Sequence, residues 1–269
     1  MKKLLLSILI SFISFTVLSQ GCLPEGITFT TQEQIDNFQI DNPGCTEIEG
    51  DVTISGNDIT NLNGLSVLTS VSGDLIIYQN PSLANLTGLD NLTSIGGDLI
   101  LYTNNCLTNL NGLESLIMVE GDFRISGNDN LINLVGLSSL SLIGGSLHVC
   151  MFAICAGALT NLEGLENLSS IGGILIITSN FAMINLTGLG NLTSIGGGLI
   201  IDGNSSLLNL NGLEGLTSVG GGLTIGGQLG LGGGNSSLIS LTGLENVDPG
   251  SISWLYIVLN ENLSSCDVQ

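Results

Sequence analysis

The sequence predicts an all-β solenoid of about nine parallel rungs, and three observations predict it. The pattern N-L-x-G-L-x-x-L-x-S-I-G-G-x-L-x-I-x-x-N-x-x-L returns along the chain, opening at Asn61, Asn85, Asn109, Asn133, Asn161, Asn185, Asn209 and, in weaker form, at Ser240. The intervals between these openings are 24, 24, 24, 28, 24, 24 and 31 residues, so the unit is constant while two rungs carry insertions. Within each copy the apolar residues hold fixed positions. A constant period of this length marks a stack of similar turns, each burying its apolar side against the next.

The first element stands apart from the repeats. Lys2 and Lys3 precede an apolar run from Leu4 to Leu18 that Ser19 closes, the pattern of a secretory signal peptide over residues 1–19. The run is shorter than the roughly 20 residues that span a bilayer. Residues 20–50 lack the repeat and are expected to form an amino-terminal cap, closed by Cys22 and Cys45. Cys150 and Cys155 bracket the first insertion and are a second candidate pair; Cys106 and Cys266 have no evident mates. Cysteines in an exported chain favour disulfides.

The solenoid proper is expected over residues 51–269, with an incomplete carboxyl cap. Counting each repeat from its Asn, positions 2, 5, 8 and 11 are apolar, as in Leu86, Leu89, Leu92 and Ile95, and are predicted to face inward. Positions 14 to 18 read DLIIY at Asp74 to Tyr78 and DLILY at Asp98 to Tyr102, a β-branched and aromatic run that signals a strand. Stacked in parallel at roughly 4.8 Å, nine such strands between Asp51 and Val258 extend on the order of 40 Å. The glycine pairs, such as Gly96-Gly97, are expected at a corner where backbone angles exclude a Cβ. Asn80, Asn104, Asn128, Asn180 and Asn204 are expected at the next corner, in left-handed conformation and bonded to the neighbouring rung.

Charge narrows the partners. Beyond the signal peptide Arg124 is the only Lys or Arg, against 23 acids. Nucleic acid and anionic membrane are bound through basic clusters, so neither is expected here. A protein or glycan ligand at the cell surface fits better.

Segments such as NLTGLDNLTSIGGDLILYTN, from Asn85 to Asn104, and NLTGLGNLTSIGGGLIIDGN, from Asn185 to Asn204, resemble the receptor L domain. That family comprises leucine-rich β-helices of growth-factor and insulin receptors and of many bacterial surface proteins. The similarity runs from about Cys45 to Cys266. It implies a right-handed β-helix with cysteine-linked caps, an exposed sheet used as a docking surface, and no catalysis. High glycine content and the scarcity of basic residues depart from the family pattern.

Alternation along the strands places the candidate site. Positions 15 and 17 are apolar throughout, so 14, 16 and 18 are expected to point outward. Position 16 reads Ile76, Ile100, Arg124, His148, Ile176, Ile200 and Thr224, and position 18 adds Tyr78 and Tyr102. An exposed aliphatic stripe with tyrosines and a cation has the composition of an interaction surface. Position 14 stacks Asp51, Asp74, Asp98 and Asp122, which either accept backbone N–H groups or recruit calcium, the weaker candidate role.

Other function classes fit less well. Stacked carboxylates about 5 Å apart have the spacing of a retaining glycosidase, but a repeat supplies that spacing automatically. His148 is the sole histidine, which leaves a nucleophile triad without a partner motif. Thr69, Thr93, Thr193 and Thr217 share position 9, yet Ile117, Ser141 and Ser169 interrupt the regular row an ice-binding face needs. A structural spacer is the remaining alternative. The sequence therefore predicts a non-catalytic, cofactor-free recognition or adhesion module, secreted or held at the surface of a bacterial cell.

Overall fold

The computed structural model describes residues 21–150, 158–227 and 233–264. The expected signal peptide, Cys155 and Cys266 lie outside them. Two parallel sheets run the length of the stack, one of ten strands and one of nine. The wide sheet contains the predicted strands, Val52–Ile54, Leu75–Tyr78, Leu99–Tyr102, Phe123–Ser126, Leu147–Val149, Leu175–Thr178, Leu199–Asp202, Gly222–Ile225 and Trp254–Ile257, preceded by Ile27–Phe29 from the cap. Register is strict: Leu75 pairs with Leu99, and Ile76 with Ile100. The narrow sheet, absent from the sequence expectation, is built from two-residue strands at positions 10 and 11, such as Ser94–Ile95 and Ser194–Ile195.

The inward positions are as predicted. Leu86, Leu92 and Ile95 have no exposed surface, and Leu75, Ile77, Leu99 and Leu101 from the wide sheet meet them in one continuous core. Side chains at equivalent positions of successive rungs stack directly, so each rung's core is the floor of the next.

The amino end is sealed. Helices α1 (Gln32–Asp36) and α2 (Phe38–Asp41) lie across the first rung, with Thr31 and Gln34 forming a capping box at the start of α1. Phe29 and Phe38 meet edge to face at 5.8 Å, both buried. Cys22 and Cys45 are bonded, as expected, which ties the first strand of the narrow sheet to the segment after α2. Cys150 is also disulfide-bonded, and Cys106 is free and exposed.

The corners correct the sequence expectation. Gly96 and Gly97 do not adopt left-handed angles. They are small because stacked backbones touch: a Cβ on Gly96 would fall on the Ser72 carbonyl oxygen, and one on Gly97 would lie 2.8 Å from the Gly73 carbonyl carbon. The left-handed glycine is the one at position 4, for which Gly88 is typical, with φ 114° and room for no Cβ, which would fall on the Leu62 carbonyl. At the next corner the residue before the asparagine, not the asparagine, carries positive φ: Gln79 and Thr103 both have φ 54°.

The asparagines do a different job. Asn104 is fully buried, and its Oδ1 accepts from the Asn80 N–H at 3.1 Å and from the Asn80 side-chain amide at 3.0 Å. Its own Nδ2 donates to the Ile77 carbonyl at 2.9 Å. The pattern recurs from Asn180 to Asn204, from Asn204 to Asn235 and from Asn235 to Asn260. Each amide thus satisfies backbone groups that the turn would otherwise bury unpaired, and unpaired buried groups cost about 1–3 kcal/mol each. Asn104→Leu strands the Asn80 N–H, so a loss of about 1–3 kcal/mol is expected in urea unfolding. The exposed Asn85, whose Oδ1 accepts only the Thr87 N–H, serves as control, and Asn85→Ala is expected to cost about 1 kcal/mol or less.

Candidate binding site

Parallel pairing brings the sequence-selected residues together. Arg124 sits between Ile100 on one side and His148 on the other, and Ser126 lies beside Tyr102. These residues border a cavity of about 480 Å³ on the outer face of the wide sheet. Among the described residues its lining is Ile100, Leu101, Tyr102, Arg124, Ile125, Ser126 and His148. Four of the expected contact residues therefore share one concavity. Ile76, Tyr78 and Ile200 are half-buried on the same sheet but outside that lining.

The outer face is less open than alternation alone suggests. Stacked side chains about 4.8 Å apart shield one another, so even its central residues are half-buried. Ile176, expected on the exposed stripe, is only 8% exposed. Thr178, Asp202 and Thr224, also at outward positions, are buried. Thr178 donates its hydroxyl to the Cys150 carbonyl at 2.7 Å. The accessible part of the face is therefore the stretch through the Tyr78, Tyr102, Arg124 and His148 rungs.

Arg124 is held from its own sheet. Its Nη1 contacts Asp98 Oδ2 at 2.7 Å and its Nη2 contacts Asp122 Oδ2 at 2.5 Å. The side chain remains 40% exposed, so the pair contributes little net stability, about 1 kcal/mol or less, but it fixes the guanidinium plane. The same carboxylates build the backbone: Asp98 Oδ1 accepts the Asp122 N–H, and Asp122 Oδ1 accepts the Ser146 N–H, both at 2.7 Å. Asp51 and Asp74 act likewise toward the next rung. Thus the aspartate ladder caps backbone amides across rungs. Among the described residues no cluster of three or more His, Cys, Asp or Glu is placed to hold a metal ion. The threonines of position 9 are engaged in the same way, Thr93 donating its hydroxyl to the Thr69 carbonyl at 2.9 Å.

The result is an apolar hollow floored by a rigid sheet, with one oriented cation and an imidazole on its rim. His148 titrates below its ordinary 6.5, first because burial penalises the imidazolium and second because Arg124 repels it, against attraction from Asp122 and Asp98. The folded state therefore prefers neutral His148. As pH falls below 6.5 the unfolded chain takes up a proton that the folded chain resists, and stability declines. Relative to His148→Gln, the wild-type unfolding free energy is expected to fall between about pH 6.5 and 5 and to run parallel above that window, measured by denaturant titration at each pH.

Comparison with known proteins bears on what such a hollow is for. No curated protein matches the chain. Residues 44–108, the segment leading from the cysteine-linked cap into the first rungs, match the model of the Receptor L domain family, the family that the repeats resemble.

Proposed function

We propose that the chain is a non-catalytic, exported recognition module that captures a protein ligand at a cell surface through the hollow around Ile100, Tyr102, Arg124 and His148. The observation that carries this reading is the convergence of the expected contact residues on one cavity in the outer face of the wide sheet. Apolar floor with tyrosine and arginine at the rim is the composition of an interface hot spot, where a few desolvated residues dominate affinity. Rigid strands hold those residues, which lowers the ordering cost on binding.

Several features support the finer parts of the reading. Asp98 and Asp122 each commit one oxygen to a backbone amide and the other to Arg124, which leaves neither suited to acid–base work. A single Arg against 23 acids beyond residue 19 favours a basic or neutral protein over nucleic acid or anionic lipid. The apolar leader at residues 4–18 and the Cys22–Cys45 bond suit export to an oxidising compartment, at the surface of a bacterial cell. Among the described residues no helix is long and apolar enough to cross a membrane.

The test is binding of the purified protein to an array of extracellular proteins and glycans. Ile100→Asp and Tyr102→Ala alter half-buried side chains on the cavity wall, so both variants are expected to keep the wild-type circular dichroism. Each is expected to weaken capture of the ligand by about 2 kcal/mol or more, some 30-fold. Arg124→Glu is a poorer probe, because it would set a third carboxylate between Asp98 and Asp122. Ligand capture that both variants leave intact sinks the assignment of this face.

A further inference from the structure

Asp202 carries a buried carboxylate for which the fold supplies no partner. The residue ends the strand Leu199–Asp202, at an outward position of the wide sheet, and is only 1% exposed. Neither of its side-chain oxygens has a hydrogen-bond partner among the described residues. Its backbone is satisfied, since its carbonyl accepts the Ser179 N–H at 3.0 Å. The orphan is the carboxylate alone. Asp98 and Asp122, on the same sheet, instead commit each oxygen to an amide or to Arg124.

A buried charge is heavily penalised unless it is paired or coordinates a metal. The chain cannot pair this one from within: beyond residue 19 the only Lys or Arg is Arg124, and that guanidinium is held several rungs away. A partner's Lys or Arg has no access either, because both oxygens lie beneath the surface. A bare proton answers poorly, since a carboxylic acid still needs an acceptor for its O–H and none is within reach among the described residues.

The neighbouring rungs suit a small ion. Parallel pairing sets Thr178 beside Asp202, on backbones about 4.8 Å apart. Thr178 is buried, and its hydroxyl proton is spent on the Cys150 carbonyl at 2.7 Å, so it offers only lone pairs to its other neighbours. Two acceptors side by side cannot hydrogen-bond to each other, yet they can share a cation. A hard cation seated on the order of 2.5 Å from each oxygen bridges a gap too wide for a hydrogen bond. On the following rung Ile225 pairs with Ile201, which brings Gly226 next to Asp202 and adds no side chain there. Charge sets the valence: one carboxylate balances one positive charge, and a divalent ion would leave a buried excess. In keeping with that, no cluster of three or more His, Cys, Asp or Glu is placed to hold a metal ion among the described residues.

We propose that Asp202 and Thr178 hold a monovalent metal cation, sodium or potassium, which enters as these rungs close and serves as the counter-charge of the buried carboxylate. The site is separate from the hollow around Arg124, whose lining includes neither residue.

The test is urea unfolding of the purified protein in sodium, potassium or choline chloride at matched ionic strength, so that general screening is equal in all three. Choline is too large for the site and serves as the blank. Between about 0.01 and 0.3 M, the unfolding equilibrium constant is expected to fall in sodium or potassium relative to choline, approaching tenfold for each tenfold rise in cation above its Kd. Asp202→Asn keeps the shape and removes the charge, and is expected to abolish the difference between salts. Thr178→Val keeps the carboxylate and removes the hydroxyl, and is expected to require about tenfold more cation or greater for the same effect. If Asp202→Asn does not fold, Thr178→Val decides. Identical wild-type curves in the three salts overturn the proposal, as does a salt preference that survives in Asp202→Asn or is unchanged in Thr178→Val. Stabilisation by calcium chloride alone, with no response to sodium or potassium, overturns the monovalent assignment.

Discussion

Everything in this molecule depends on backbones stacked at the spacing of a parallel β-ladder. That distance is set by N–H···O=C bonds and is indifferent to side chains. It demands that equivalent positions of each rung be compatible with themselves. Leucine stacks on leucine in the core, glycine lies on backbone at the corners, and Asn80, Asn104 and Asn128 stack without leaving buried polar groups unmatched. The amide side chain suits this role because it offers both donor and acceptor, so one rung's N–H and the next rung's Oδ1 interlock indefinitely. Polyglutamine and asparagine fibrils exploit the same property between chains; here it works within one.

The same self-compatibility limits charge. Aspartates at position 14 are tolerated on successive rungs only because each carboxylate is consumed by the amide of the rung that follows, and because Arg124 spans two of them. Where the carboxylates give way to Ser146, its hydroxyl takes over and accepts the Ile174 N–H at 3.1 Å. The cavity exists beside this change. Arg124 and His148 stand where isoleucine occupies the preceding and following rungs, and both line the cavity.

Much of this was legible in the sequence, and the failures are instructive. Inward positions such as Leu86 and Leu99 were readable because burial leaves a periodic signature. The gathering of Ile100, Arg124 and His148 followed from repeat position alone, since a solenoid turns sequence period into spatial adjacency. Corner geometry was not readable: glycine at position 13 and glycine at position 4 look alike, yet Gly97 is required by close backbone approach and Gly88 also by positive φ. The left-handed residues Gln79 and Thr103 carry no sequence mark. Two-residue strands such as Ser94–Ile95 are too short to display alternation. The ion pairs of Arg124 were within reach, because positions 14 and 16 share a face on neighbouring rungs. The burial of Ile176 was not, because alternation alone places it outward.

Near-identical rungs carry a hazard that their stability conceals. A stack in which every turn fits every other turn is almost degenerate to a slip of one rung, since Leu would again meet Leu and Asn again meet Asn. What distinguishes the correct alignment is whatever fails to repeat: the phenylalanine-packed, disulfide-closed first turn and the rungs lengthened to 28 and 31 residues. These irregular turns act as the scale marks of the solenoid, giving an otherwise translation-invariant column a single origin and a single order.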